Sequence, residues 1–273
     1  MTTRTFTTAY PLINVMSSAA FKAGRGLIRD FGEVEHLQVS KKGPGDFVSK
    51  ADQRAERILC QELAKARPDY GFLAEETGEI PGATPDAPTW VIDPLDGTTN
   101  FLHSMPHFAI SVALKKEDEI IAGVVYDPLK DELFWAEKGS GAFMNDRRLR
   151  VSSRRNLEDC VFGTGFSCVG GDDTLDLLSG VKPKVAGIRQ WGSAALDLAY
   201  VAAGRLDGYW EAGLYPWDMA AGLILVKEAG GWISDLSGKQ VMSQMLRQGS
   251  VIASSPPLSA QLRPLLGGAL AGF

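Results

Sequence analysis

Trp90-Val-Ile-Asp-Pro-Leu-Asp-Gly-Thr-Thr-Asn100 is the stretch on which the reading of this chain turns. Thr89 to Ile92 has the composition of a short buried strand, β-branched or aromatic and uncharged, and Pro94, which cannot donate to a ladder, is expected to stop it. Two carboxylates, Asp93 and Asp96, stand at the strand's end, followed at once by Gly97, Thr98 and Thr99. Carboxylates beside a Gly/Thr turn suit a hard cation, which takes oxygen ligands. A helix opening near Thr98 would turn its free N–H groups to the same spot and could hold a phosphate. The same residues also make an ordinary turn between two strands, because Asp, Pro and Gly are common turn formers. Spacing alone leaves both readings open.

Outward from this stretch the chain reads as alternating elements. Leu12, Val15, Met16, Ala19, Ala20, Ala23 and Leu27 recur at helical spacing, so residues 8–31 are expected to form an amphipathic helix, weakened at its far end by Gly24 and Gly26. Glu33 to Ser40 alternates loosely, as a strand does, and Lys41-Lys-Gly-Pro-Gly-Asp46 is rich in breakers, as a loop is. Ser49 with Asp52 three positions later resembles a capping box opening a helix that reaches Ala66 and is closed by Pro68. Tyr70 to Ala74 reads as a strand running into Glu75-Glu76, and a Pro- and Gly-rich loop over 77–88 leads back to Trp90. Beyond Asn100, the runs 107–114, 120–126, 133–136 and 142–144 predict an antiparallel meander. From Val161 onward strands alternate with helices, one over Ser193–Ala203 ended by Gly204 and one over Trp217–Ala229 ended by Gly230-Gly231. The expected organisation is a single catalytic unit with an α+β part over 1–149 and an α/β part over 150–273.

Composition narrows the classes. The 273 residues, 45% hydrophobic and 22% charged, suffice for one large core or two small ones in an ordinary globular protein. No apolar run approaches the roughly 20 residues of a membrane span, and the N-terminus has no apolar segment with a small-residue cleavage site. Cys60, Cys160 and Cys168 have no metal-like spacing, which fits reduced thiols in a cytoplasmic protein. A net charge of −5 argues against wholesale nucleic-acid binding.

Asp93-Pro-Leu-Asp-Gly-Thr98 resembles the signature of the inositol monophosphatase family of magnesium-dependent, lithium-sensitive phosphatases, an Asp-Pro-apolar-Asp-Gly-Thr/Ser run after a hydrophobic strand. Asp46-Phe-Val-Ser-Lys-Ala-Asp52 is similar to that family's early loop and helix start. Phe72-Leu-Ala-Glu75-Glu76 is similar to its strand carrying a metal-binding glutamate, and Trp217-Asp218-Met-Ala-Ala-Gly222 to its second signature. The four motifs come in the family's order and span nearly the whole chain. The resemblance implies an α/β five-layer αβαβα sandwich of the sugar phosphatase type, assembled as a homodimer, with two or three Mg²⁺ ions per active site. It implies that Glu75, Asp93 and the carbonyl of Leu95 hold one ion, and Asp93, Asp96 and Asp218 a second. Thr98, Asp52 and Glu75 would form the catalytic set, Thr98 orienting a metal-activated water while Asp52 accepts its hydroxyl proton. Asp96, Gly97, Thr98, Gly192, Ser193, Ala194, Glu211, Asp218 and Lys41 match positions that face the substrate.

Each of these residues also has an ordinary reading. Asp218 two positions after Pro216 is a residue the helix dipole favours, and Asp52 is helix-start charge. Gly192-Ser-Ala-Ala is a helix start, and Glu211, seven residues before Asp218, can be a loop glutamate in solvent. Other signals fall short of a motif. Gly163-Thr-Gly165-Phe-Ser-Cys168 lacks the third Gly of a dinucleotide fingerprint, and Gly165-Phe-Ser167-Cys-Val169 the last Gly of a nucleophile elbow. His36, His103 and His107 share no ligand spacing, and the arginines over 147–155 read as a solvated face. The expected function is Mg²⁺-dependent hydrolysis of inositol monophosphates to myo-inositol and phosphate. Its rivals are other phosphomonoesters (fructose-1,6-bisphosphate, histidinol phosphate, a 3′-phosphoadenosine nucleotide), or a regulatory protein that binds RNA or the transcription machinery, which the intact carboxylate set disfavours.

Overall fold

The structure, a computed structural model, describes residues 10–33, 39–43, 46–165 and 178–267, with the backbone alone for residues 39–49 and 267. It opens with helix α1 (Pro11–Phe31), which starts later than residue 8 because Pro11 takes its first position. Ile13, Met16, Ala19, Ala20, Ala23 and Leu27 form its buried face. Gly24 and Gly26 do not shorten this helix. Gly24 lets it approach the sheet, since a Cβ there would stand 2.8 Å from the ring of Tyr126. Strands β1 (Val39–Gly43) and β2 (Asp46–Ser49) pair antiparallel, so most of the expected loop over 41–46 is ladder; residues 34–38 and 44–45 lie outside the described residues. Helix α2 (Lys50–Ala66) follows at the expected place.

Strand β3 (Gly71–Ala74) continues into a short hairpin partner, β4 (Gly78–Ile80), inside the span read as loop. The central strand β5 (Thr89–Asp96) does not stop at Pro94 as expected. Its ladder to the next strand shifts register between Asp93 and Asp96, and Pro94 sits in that irregularity, where its missing N–H costs no hydrogen bond. Helix α3 (Thr98–Leu102) follows directly, then the meander β6 (Ala109–Lys116), β7 (Glu119–Asp127), β8 (Glu132–Glu137), β9 (Gly141–Met144) and the two-residue edge β10 (Arg147–Arg148). These strands form one eight-stranded sheet ordered β10-β9-β8-β7-β6-β5-β3-β4, antiparallel throughout except for the parallel pair β3 and β5.

The second sheet comprises β11 (Val161–Thr164), β12 (Gly187–Arg189), β13 (Gly208–Ala212), β14 (Trp232–Ser234) and β15 (Ser250–Ser254), ordered β12-β11-β13-β15-β14. Between its strands run α4 (Ala194–Ala202), α5 (Pro216–Glu228) and α6 (Met242–Gln248), and α7 (Pro256–Gly267) follows β15. The layers follow from which faces are apolar. Helices α1 and α2 cover one face of the large sheet through Leu27, Leu59, Trp90 and Ile110. Helices α4 and α5 fill the space between the sheets, and α7 covers the outer face of the small sheet through Phe162, Trp210, Leu258 and Leu262. This is the αβαβα sandwich. Its middle layer explains the composition of α5, buried without interruption from Met219 to Val226, because a helix between two sheets has no solvent face. Close approach there depends on Gly123, where a Cβ would lie 2.6 Å from Cγ2 of Ile224, and on Gly222, where one would lie 2.5 Å from Leu198.

Candidate active site

The register of the large sheet gathers the first carboxylates. Parallel pairing sets Ala74 of β3 beside Ile92 of β5, and the N–H of Glu75 donates to the carbonyl of Ile92 at 3.2 Å, so Glu75 stands next to Asp93. Across β5, Asp93 faces Ser111 of β6, whose hydroxyl donates to the carbonyl of Trp217 at 3.0 Å. That bond ties the start of α5, and with it Asp218, to the same place. Asp96 reaches the other layer. Its Oδ2 accepts from the Ser193 hydroxyl at 2.6 Å and from the N–H of Ala195 at 2.8 Å, so a carboxylate of the first sheet meets the N-terminus of α4. Glu75, Asp93, Asp96 and Asp218 thus line one cavity of about 280 Å³, together with Gly97, Thr98, Gly192 and Glu211.

Their environment resists negative charge. Asp93 is 3% exposed, and its carboxyl lies well above the usual carboxylate range because of burial first and then the charges of Glu75, Asp96 and Asp218. Burial also pushes Asp96 up to about 6, against the hydrogen bonds it accepts. Asp218 is raised well above its ordinary value by burial and by Asp96. Each of these three aspartates has one oxygen turned onto a nearby N–H: Asp93 onto Leu95 at 2.8 Å, Asp96 onto Ala195, Asp218 onto Tyr215 at 2.7 Å. Among the described residues no three acidic, imidazole or thiol groups are drawn together tightly enough to make a closed metal cage. The donor set itself, four carboxylates with the Leu95 carbonyl, is all oxygen and fits a hard divalent cation. Positive charge at this point would offset the repulsion that raises Asp93.

The remaining residues picked from sequence fall into three groups. Thr98 and Asp52 are brought together: the Thr98 hydroxyl lies 3.1 Å from Oδ1 of Asp52 and 3.0 Å from the carbonyl of Leu95, with Asp52 wholly buried. Gly97 sits at φ +97° before α3, where a Cβ would stand 3.1 Å from the carbonyl of His107. Gly192, Ser193, Ala194 and Glu211 line the far wall, and Glu211 is a half-buried residue of β13, not a solvated loop residue. Lys41 lies in β1, and its side chain is outside the described residues, as are Cys168 and His36.

Several supporting residues had no local signal. Asn100 donates from Nδ2 to the carbonyls of His107 at 2.8 Å and Trp191 at 2.6 Å, fixing the loop before Gly192. Glu56, buried in α2, accepts from the N–H groups of Glu76 at 2.8 Å and Thr77 at 3.0 Å, holding the turn that carries Glu75. Apart from His107, their partners lie 20 to 91 residues away, beyond any spacing rule. His107 packs between Trp191 and Tyr200, with its pKa lowered by burial to about 4, as an ordinary packed residue.

Known proteins resemble this chain in sequence and fold. The sequence profile of the inositol monophosphatase family matches residues 9–267. An inositol-1-monophosphatase of Rhizobium meliloti is 56% identical over 258 residues, 93% of this chain and 96% of that protein. The Nus factor SuhB of Pseudomonas aeruginosa is 43% identical over 251 residues, 90% of this chain and 92% of that one. The crystal structure of the extragenic suppressor protein suhB from Bartonella henselae superposes with a TM-score of 0.91 at 53% identity, covering 96% of this chain and 99% of the other.

Proposed function

The chain belongs to the inositol monophosphatase family, and on that premise we propose that it is a phosphatase that hydrolyses inositol monophosphates to myo-inositol and phosphate with Mg²⁺. The observation that carries this reading is the meeting of Glu75, Asp93, Asp96 and Asp218 around one cavity, on elements from both sheets, with Asp93 and Asp218 pushed far from their ordinary acidity. A binding surface has no use for such an arrangement. Glu75, Asp93 and the Leu95 carbonyl are the proposed holders of one ion, and Asp93, Asp96 and Asp218 of another. Bound there, Mg²⁺ would supply positive charge to a phosphomonoester dianion and lower the pKa of water.

The protein's own groups do the rest. The Thr98 hydroxyl donates to Asp52 and so has its lone pairs free to accept a proton of the attacking water, which fixes the direction of attack. The N–H groups of Gly97 and Thr98 face phosphate oxygens at the start of α3. Ser193 and the N-terminus of α4 hold Asp96 in one rotamer. Glu211, on the opposite wall, accepts hydrogen bonds from hydroxyls of the polyol. A cavity of about 280 Å³, near the small end for ligand sites, suits a single ring better than a nucleotide.

A substrate panel tests this reading. With Mg²⁺ present, kcat/KM is expected to be highest for inositol-1-phosphate among that ester, fructose-1,6-bisphosphate, histidinol phosphate and 3′-phosphoadenosine-5′-phosphate. A higher value for another member would reassign the substrate while keeping the class. The relative named Nus factor SuhB supports a second, regulatory reading, in which Arg147 and Arg148 on the exposed edge β10 would meet RNA or transcription proteins. Specific RNA retention without turnover of any ester would favour it.

A further inference from the structure

Glu211 is held in place from two sides. It follows Tyr209 by two residues on β13, so the pleat sets both side chains on one face of the strand. Tyr209 is fully buried, and its hydroxyl donates a hydrogen bond to Oε2 of Glu211. The backbone at Gly165 closes a second side, since a Cβ there would run into the Glu211 carboxylate. The surroundings otherwise disfavour charge on this group. Burial pushes Glu211 up to about 7 and Asp96 adds to the effect, while the Tyr209 hydroxyl opposes it. Asp197 of α4, 1% exposed with its Oδ1 unpaired, is itself raised well above the ordinary range by burial and by Glu211. A phenylalanine would supply the same ring to the core at position 209, so the hydroxyl serves its partner and not the packing.

We propose that Tyr209 is a positioning residue for substrate selection, its hydroxyl holding the Glu211 carboxylate aimed into the cavity as an acceptor for polyol hydroxyls. The inference rests on the reading of Glu211 as the polyol-selecting group. It predicts which residues decide how well the site tells a polyol phosphate from a phosphomonoester without ring hydroxyls. A carboxylate lacking this donor is free to rotate, and in its protonated form it offers a donor where the substrate needs an acceptor.

The test uses the full-length protein with Mg²⁺ and the ratio of kcat/KM for inositol-1-phosphate to that for p-nitrophenyl phosphate. Loss of folded protein cancels in this ratio. Glu211→Gln is expected to lower it about tenfold or more, as for loss of a charged hydrogen bond. Tyr209→Phe is expected to lower it about three- to tenfold, mainly through KM for inositol-1-phosphate. In the double variant the ratio should equal that of Glu211→Gln alone, because the hydroxyl then has no carboxylate to hold. Gly165→Ala displaces the carboxylate from its other side and should lower the ratio with Tyr209 intact, which serves if Tyr209→Phe folds poorly. A ratio lowered by Glu211→Gln but unmoved by both Tyr209→Phe and Gly165→Ala overturns the positioning role and leaves the reading of Glu211 standing. A ratio unmoved by Glu211→Gln overturns both.

Discussion

Asp93→Asn is expected to abolish phosphate release while leaving the protein folded. Asp93 shares its cavity with Glu75, Asp96 and Asp218, and its carboxyl is raised by burial first and then by all three charges. A group that serves two proposed ions should matter more than an outer partner of a metal ligand, whose loss typically costs about 10- to 100-fold. The same substitution should raise the melting temperature of metal-free protein at neutral pH. A buried carboxyl with a raised pKa binds a proton more tightly in the folded than in the unfolded chain, so it costs stability above its unfolded pKa, and that cost disappears below it. The gain from Asp93→Asn should therefore be present at pH 7 and vanish below about pH 4. Mg²⁺ at about 100 times its dissociation constant stabilises a single-site protein by roughly 2.7 kcal/mol, and the variant should receive much less of this. Equal Mg²⁺-induced melting shifts in the two proteins would remove Asp93 from the metal site.

Thr98→Ala carries the second large effect. The substitution deletes the hydroxyl that bridges Asp52 and the Leu95 carbonyl but keeps the backbone N–H at the head of α3. Water positioning acts mostly in the transition state, so kcat should fall by about 10²- to 10⁴-fold with little change in KM. Thr98→Ser restores the hydroxyl and should recover most of the rate. A Thr98→Ala enzyme with kcat within about threefold of the original would take Thr98 out of this role.

What the sequence made legible was whatever is local in the chain. The apolar stripe of α1, the meander from Ala109 to Met144 and the glycines that end α4 and α5 all follow from spacing within one element. The stretch from Trp90 to Asn100 announced its two carboxylates, and the resemblance supplied the distant Glu75 and Asp218 as companions. Two kinds of feature escaped. Pro94 was read as a strand breaker, yet a register shift absorbs it and carries β5 on to Asp96. The ladder of β1 and β2 lay hidden in a run of lysine, glycine and proline because strand pairing, not propensity, decides such segments. The supports of the site escaped for a different reason. Ser111, Asn100, Glu56 and Tyr209 are unremarkable residue types whose roles come only from partners the fold brings near, such as the Trp217 carbonyl for Ser111. The same holds for Glu211, which spacing could not separate from a solvated glutamate and which the structure leaves half-buried beside Tyr209.

The measurement that bears most directly on the account is phosphate release from inositol-1-phosphate by chelator-stripped protein as Mg²⁺ is added back. The four carboxylates of Glu75, Asp93, Asp96 and Asp218 predict no release in the stripped protein and a saturable recovery on titration with Mg²⁺. Turnover that persists at full rate after all divalent metal has been removed would contradict it.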